Sequence, residues 1–480
     1  MAFIRKVKTK SGATAVQVVR KQSGRIVSLK HLGSAHTKQE LQALLTLARD
    51  QLYQGQSSLF PEQNSLKFKL KQSSSNLLFR VLSQQYQALG FGILKDPDFI
   101  HLCIARMVEP TSKLDSLRVL ADLGISGLTK DRLYRCLARI AVHDYRTLIQ
   151  KACFAATTPQ SLALVLYDVT TLYFEIQKED AYRKPGLSKE RRLEPQIIVG
   201  LLVDQTGFPL SVQSFEGNTA ETKTILPVLE DFSNQHHLPD ITVVADAAMM
   251  SLKNLQSLAQ SGYTYIVGSR LNKIPYAIAE YQKKQPLIDQ QVIVDKHDDC
   301  RIIYQYRAKR AKLDLKNIEK QISKAKRIIS GLAPIHRSKF ITMKAKERKL
   351  NQKLIDKAYS LAGIKGYVTN LTALDEQIIA AYHQLFQVEA SFRMAKSDLK
   401  ARPIFHRKRE SIEAHLTIVL AALAVGKRVE SKSGMSLKQL IKVLRPIRSG
   451  IVSLNGYEYT VQEEIPEDIH ILLKKLGSGH

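Results

Sequence analysis

Near the amino terminus, residues 15–20 and 25–31 alternate apolar and polar positions between the breaks Ser11-Gly12 and Ser23-Gly24, which predicts a small sheet. Thr37 with Glu40 three residues on is a capping box, and Leu41, Leu44, Leu45, Ala48 and Leu52 then recur at helical spacing, so a helix starts there. Residues 55–75, rich in Gln and Ser, read as a linker. From residue 76 to about 154 the period is helical, with breaks at residues 90–92, Pro97 and Pro110. Within that stretch, residues 112–123 and 129–140 form two helices around a Gly124-Ile125-Ser126-Gly127 turn. The second sets Leu133, Leu137 and Ile140 on one side and Arg132, Arg135 and Arg139 on another.

The pattern then changes. Residues 162–168 (LALVLYD) and 241–246 (ITVVAD) are apolar at consecutive positions, as expected of strands covered on both faces, and each run ends on an aspartate. Between them, residues 197–203 and 208–215 flank a Gln205-Thr206-Gly207 turn as a hairpin, and a helix over 221–232 leads into the second run. A helix over 251–259 and a strand over 263–268 follow. Short strands at 291–295 and 301–306 precede a Lys-rich helix whose Leu315, Ile318, Ile322, Ala325 and Ile329 form the seam of a helical hairpin with residues 337–361. A last strand at 366–369 leads to one helix from 374 to about 400. Strands and helices in this order predict an α/β chain with a mixed sheet covered by helices.

At 480 residues and 44% hydrophobic, the chain has material for several domains with their own cores. Cys103, Cys136, Cys153 and Cys300 lie far apart with no CxxC pair, which points to buried thiols rather than zinc or disulfides. No apolar stretch approaches the roughly 20 residues that span a bilayer, and the start lacks the apolar core of a signal peptide. A soluble, intracellular protein without a membrane partner is expected. Lys and Arg number 72 against 44 acids, a formal charge of +28. That excess repels itself unless a polyanion neutralises it, so nucleic acid is the expected partner. Residues 1–39 carry nine Lys or Arg and no acid. In this light the 112–140 pair resembles a helix-turn-helix offering Arg132, Arg135 and Arg139 to DNA; an ordinary helical hairpin with a solvated arginine face has the same pattern.

A carboxylate at the end of a buried strand is costly unless it is paired, hydrogen-bonded or holding a metal. Two in similar settings, Asp168 and Asp246, invite a magnesium reading, because Mg²⁺ takes hard oxygen ligands and needs neither histidine nor cysteine. Glu389 lies on the predicted final helix, where Tyr382, Phe386, Glu389, Arg393, Lys396 and Lys400 fall at offsets of three, four or seven and would share one face. Taken alone, that pattern is better accounted for by a surface Glu389–Arg393 pair. His236-His237 lies in a loop without further ligands, His406 and His415 flank the predicted final helix, and no phosphate-cradling GxxxxGK[ST] or GxGxxG loop is present, so no nucleotide cofactor is expected.

Four ordered segments, VLYDVTTLYFE, LLVDQTGFPLSVQSFEGNTAE, VVADAAMMSLKNLQSLAQSGYTYIVGSR and YHQLFQVEASFRMAKSDLKARPIFHRKRESIEAHL, resemble the catalytic core of bacterial insertion-sequence transposases, most closely the insertion-sequence-four superfamily. The resemblance covers residues 162–268 and 366–427, with a weaker likeness at ARMVEPTSKL, residues 105–114. It implies an RNase H-like mixed sheet flanked by helices, with an acidic DDE triad of Asp168, Asp246 and Glu389 holding two Mg²⁺ ions, for which Mn²⁺ can substitute. The family's last motif reads Tyr, two residues, Arg, three residues, Glu, six residues, Lys. This chain supplies Tyr382, Glu389 and Lys396, with Leu385 in the arginine's place and Arg393 one turn after the glutamate as a replacement charge. Lys396 would hold a phosphate near the scissile bond and Tyr382 would help place the backbone, while Lys400, on the predicted helix face, is a further DNA-binding candidate.

The domains then read as a basic β region, helix and linker (1–70), a helical DNA-binding region (71–157), the catalytic core in two parts (158–269 and 366–430), an α+β insertion between them (270–365) and a C-terminal region (431–480). The interval of 143 positions from Asp246 to Glu389 matches family members that carry such an insertion. The implied activity is DNA transposition: binding of element ends, cleavage, and joining of the 3′-hydroxyl to target duplex DNA, with a homodimer in the synaptic complex. An RNase H-like nuclease or resolvase that cuts without joining, and a DNA-binding descendant without catalysis, are the rivals.

Overall fold

The structure is a computed structural model and describes residues 2–9, 12–52, 68–158, 162, 164–175, 178–186, 194–238, 241–247, 251–297, 299–334, 338–344, 347–454 and 457–477. It divides into two compact units, Met1–Lys69 with Ser453–Tyr457, and Leu70–Val452 with Glu458–His480.

In the first unit, β1 (Ala2–Lys8), β2 (Thr14–Gln22) and β3 (Arg25–Ala35) form the expected antiparallel sheet in the order 1-2-3. Helix α1 (Lys38–Leu52) packs on it, burying Ala48 as Val16 and Val19 are buried on β2. The capping box is present. The Glu40 amide donates to Thr37 Oγ1 at 3.2 Å, and Glu40 Oε2 accepts from the amides of His36 at 2.8 Å and Thr37 at 3.3 Å. These backbone donors, His36 first, hold the Glu40 carboxyl below its usual range. Of the expected linker, residues 55–67 lie outside the described residues, and the remainder includes strand β4 (Phe68–Ser74).

The second unit begins with helices α2 (Asn76–Ala88), α3 (Pro97–Val108), α4 (Ser116–Asp122), α5 (Lys130–Val142) and α6 (Tyr145–Ala155). The expected break at Pro97 is a helix start: Pro97 sits in the first turn of α3, where its missing N–H costs nothing, behind the N-cap Asp96. Strands β5 (Leu164–Tyr173), β6 (Gln196–Val203) and β7 (Pro209–Glu216), helix α7 (Ile225–His236), strand β8 (Thr242–Ala245), helix α8 (Leu252–Gln260) and strand β9 (Thr264–Ser269) follow. Next come α9 (Tyr276–Lys284), β10 (Val292–Lys296), β11 (Arg301–Tyr306), α10 (Ala308–Ile329), β12 (Ile341–Lys344), β13 (Glu347–Leu350), α11 (Gln352–Ser360) and β14 (Ile364–Thr369). The chain ends with α12 (Asp375–His383), α13 (Phe386–Arg393), α14 (Arg409–Ser433), α15 (Leu437–Leu444), β15 (Ser449–Leu454), β16 (Tyr457–Val461) and α16 (Glu467–Lys475).

One sheet organises this unit, in the order β10-β11-β14-β9-β8-β5-β6-β7. β5, β6 and β7 run antiparallel in succession, while β8 pairs parallel with both β5 and β9. This is a mixed α/β sheet consistent with an RNase H-like architecture. The hairpin turn between β6 and β7 is fixed by Asp204, whose Oδ1 accepts from the Thr206 amide, the Thr206 hydroxyl and the Phe208 amide at 2.7–2.9 Å.

Two findings differ from the expectation for residues 270–365. Strands β10 and β11 of this stretch extend the central sheet through β14. A local apolar pattern identifies a strand but not the edge it joins. The basic helical hairpin does form, with α10 packed on α11 over Ile318, Ala325, Phe340, Ile355 and Ala362, but its second helix is short and follows the β12–β13 hairpin.

The sheet carries a core on each face. On one, Val165, Tyr167 and Val169 of β5 meet Val228, Leu229 and Phe232 of α7. On the other, Leu166 and Leu172 meet Val388 and Phe392 of α13 and the long helix α14. Residues 416–425 of α14 are buried all round, as an apolar helix must be when it runs through the middle of a unit. Among the described residues, no helix is long and apolar enough to cross a membrane. Cys103, Cys136 and Cys153 are buried free thiols, and Cys300 is half-buried and free.

Candidate active site

The period of two along β5 decides where Asp168 points. Leu166 and Leu172 belong to the core that contains α13 and α14, while Val165, Tyr167 and Val169 belong to the opposite one. Asp168 therefore lies on the α13 face. β5 and β8 pair in parallel from Leu164 with Thr242 to Tyr167 with Ala245, and Asp168 and Asp246 are the next residue on each strand. Neighbouring strands run about 4.8 Å apart, so the two carboxylates leave adjacent strands at one level, where β8 stops and the sheet opens. Neither is buried as the sequence led us to expect. Asp168 is half-buried and Asp246 exposed.

Asp246 Oδ1 accepts from the Ala247 amide at 2.7 Å and from the Tyr382 hydroxyl at 3.4 Å. Tyr382 is 5% exposed, its ring edge-on to Tyr367 at 4.9 Å between centroids. Burial first, then the negative charge of Asp246, drives the phenol's pKa upward and keeps it a donor. It crosses the sheet above Gly268, where an added Cβ would stand 2.6 Å from the hydroxyl and 3.3 Å from Ala247. Gly268→Ala should displace Tyr382 from Asp246 and lower stability by about 1–2 kcal/mol, seen as a lower Tm. An unchanged Tm would show that the ring is free to move aside.

Glu389 is exposed on α13, one residue after the core position Val388. That helix packs against β5 and β6, and the Ser391 hydroxyl fastens it by donating to the Gly207 carbonyl at 2.6 Å. Lys365 of β14 and Tyr382 both have their pKa set first by burial, and each also senses the charges of Asp246 and Glu389.

The single helix expected from residue 374 to about 400 is not continuous. Amide-to-carbonyl bonds of the i to i+3 kind at Gln384, Leu385 and Gln387 separate α12 from α13, and a π-helical turn over Met394–Asp398 ends α13. Tyr382, Phe386, Glu389, Arg393, Lys396 and Lys400 consequently do not share one face. Tyr382 is buried, while Phe386, Arg393 and Lys400 are exposed, the last outside the helix at φ 43°. Lys396 is half-buried and leans over the Phe392 ring at 5.5 Å, beside Thr170, two residues along β5 from Asp168. Leu385, where the motif has arginine, is 9% exposed and fills the core, so that position holds no charge.

The arginines of α5 also have work inside the protein. Arg139 clasps Asp96 at 2.8 and 2.9 Å and Asp98 at 3.1 Å, and Arg132 reaches Asp98 at 2.8 Å. Arg135 is exposed, its Nε bonded to the Asp131 carbonyl at 3.4 Å. His415 is a satisfied core residue, with Nε2 3.1 Å from the Ala401 carbonyl and Nδ1 3.4 Å from Arg106. His236 stacks on Phe154 at 3.9 Å, and burial pushes its pKa down to about 4.

The donors here suit a hard cation by chemistry: Asp168, Asp246 and Glu389 offer carboxylate oxygens that solvent reaches. Among the described residues no three His, Cys, Asp or Glu side chains group tightly enough to hold one ion. Mg²⁺ is usually held by one or two carboxylates, with waters and substrate phosphates completing the shell, a demand that the Asp168–Asp246 pair can meet. Sequence reasoning missed Lys365. Its signal was present, since the period of two that puts Tyr367 on this face carries back to Lys365, one residue before the strand expected at 366–369.

The profile of the family described as "Transposase DDE domain" matches residues 159–425. No curated protein sequence matches the chain. Among solved structures, a piggyBac transposase synaptic complex with hairpin DNA, determined by electron cryo-microscopy, superposes with a TM-score of 0.43 at 12% identity, over 78% of this chain and 79% of that one. With more than half of its length inside the family match, the chain belongs to the Transposase DDE domain family.

Proposed function

We propose that this protein is a DNA transposase that cleaves at the ends of its element and joins the freed 3′-hydroxyl to target DNA, using Asp168, Asp246 and Glu389 as the acids of a two-metal site. The observation that carries this reading is the pair Asp168 and Asp246 on adjacent parallel strands, facing the helix that bears Glu389. When bound, two Mg²⁺ or Mn²⁺ ions would activate water or a 3′-hydroxyl and stabilise the leaving oxygen.

The protein's own groups have separate tasks. Tyr382 donates to Asp246 and keeps that carboxylate turned toward the mouth of the sheet. Lys396, beside Thr170, and the exposed Arg393 meet the DNA backbone near the acids, and Arg393 takes the place of the charge that Leu385 lacks. Lys400 and Arg135 extend the basic contact surface, whereas Arg132 and Arg139 act through the ion pairs that hold α5 against α3. The +28 charge supplies attraction to duplex DNA independent of sequence. Joining two ends implies at least a homodimer when DNA is bound.

The test is incubation of duplexes carrying the element's own ends with protein and Mg²⁺ or Mn²⁺, with Asp168→Ala as control. Wild type should give nicked or cut ends and a strand-transfer product, and the variant neither. Cut ends without joining would favour a nuclease or resolvase. Wild type and variant equally inert, while both still retard DNA, would refute the catalytic reading and leave a DNA-binding protein.

A further inference from the structure

Lys365 stands at the mouth of the site with no task in the scheme above. It belongs to β14, whose antiparallel register with β9 sets Tyr367 opposite Gly268, the residue beneath the Tyr382 hydroxyl. Two positions earlier on the same face, the Lys365 ammonium lies 4.3 Å from the centre of the Tyr382 ring and 5.8 Å from that of Tyr367. It is half-buried there. Burial first, then the charge of Arg310 of α10, draws the Lys365 pKa below its ordinary 10.5, while the carboxylates of Asp246 and Glu389 pull the other way; the Tyr382 ring it covers is the one whose hydroxyl donates to Asp246.

Two acids at one opening repel each other until a cation sits nearby. A lysine is suited to that post, being a point charge on a flexible stem, seated here against an aromatic face. The same stem lets it leave. A divalent cation taken up by the carboxylates would repel the ammonium, and a phosphodiester arriving with the DNA would attract it.

We infer that Lys365 is the internal counter-ion of Asp246 and Glu389 in the free protein, and that it passes to a DNA backbone phosphate when divalent cations occupy those carboxylates. This rests on the two-metal reading of the site. Lys365 is then a second phosphate-holding lysine beside Lys396, and it makes metal uptake and DNA uptake mutually favourable.

The experiment measures Mn²⁺ affinity of the DNA-free protein by electron paramagnetic resonance, and the salt dependence of binding to end DNA, for wild type, Lys365→Met and Lys365→Arg. Lys365→Met should bind Mn²⁺ roughly three- to tenfold more tightly and should lower the slope of log K against log salt by about one. Lys365→Arg, which keeps the charge, should stay near wild type in both. A folded Lys365→Met with wild-type Mn²⁺ affinity and salt slope would overturn the proposal, and a drop in Tm alone would assign Lys365 to packing and overturn it equally. Wild type that binds no Mn²⁺ would refute the underlying metal reading, a result distinct from equal binding by wild type and variant.

Discussion

Asp168→Asn will lower divalent-metal-dependent cleavage of end-bearing DNA by at least about a thousandfold, equivalent to roughly 4 kcal/mol of transition-state stabilisation. The substitution keeps size and shape on a half-buried strand position, so the sheet should tolerate it. What it removes is the negative charge, and an amide oxygen is a poor ligand for a cation that must be gripped while a phosphodiester is attacked. Asp246→Asn and Glu389→Gln should fall as far, and any two together should fall little further than one, because residues that act as a unit are not additive. DNA retention at moderate salt should survive in all three, since the basic surface is untouched. The measurement is the initial rate of strand cleavage at saturating Mg²⁺ and Mn²⁺, with folding checked by Tm. A folded Asp168→Asn that retains a tenth of wild-type cleavage would remove this residue from the chemistry.

The residues that made the site legible were those whose signal is local. Asp168 and Asp246 each end a run of consecutive apolar residues, and that is what a strand buried on both faces must look like. Helix α1 announced itself through Thr37 and Glu40, and the buried stretch of α14 through its unbroken apolar sequence. What escaped was set by packing at a distance. Ile379, Tyr382, Leu385 and Val388 are four buried positions spaced by three, and on an ideal α-helix each such step turns about 60° away from the last. Keeping all four against the core requires the tighter i to i+3 turn that separates α12 from α13. Strands β10 and β11 were visible as strands, but their place on the central sheet depends on pairing with β14, far along the chain. Arg132 and Arg139 look like an exposed basic face in sequence because their partners, Asp96 and Asp98, lie 34 to 43 residues away.

That last pairing carries the largest stability effect we expect. Asp96→Ala should destabilise the second unit by about 3–5 kcal/mol, a fall in Tm of roughly 5–15 °C. The Asp96 side chain is 4% exposed. It caps α3 by accepting from the amides of Asp98 at 3.0 Å and Phe99 at 3.3 Å, receives both Nε and Nη2 of Arg139, and takes the Tyr145 hydroxyl at 2.9 Å. Alanine would orphan the Tyr145 hydroxyl and strip Arg139 of its closest partner while removing the cap. Burial alone would raise the Asp96 carboxyl, but the hydrogen bonds from Arg139 and Tyr145 outweigh it and leave the pKa below its ordinary 3.8. A depressed pKa contributes stability that is complete above the ordinary value and is lost as pH falls through the depressed one. The stability gap between wild type and Asp96→Asn should therefore be flat from neutral pH down to about 4 and shrink below it. Arg139→Ala should reproduce the loss of stability with little change in DNA affinity per folded molecule, and Arg135→Ala the reverse. Equal stability of wild type and Arg139→Ala, with weakened DNA binding, would return Arg139 to the DNA-facing role its sequence position suggests.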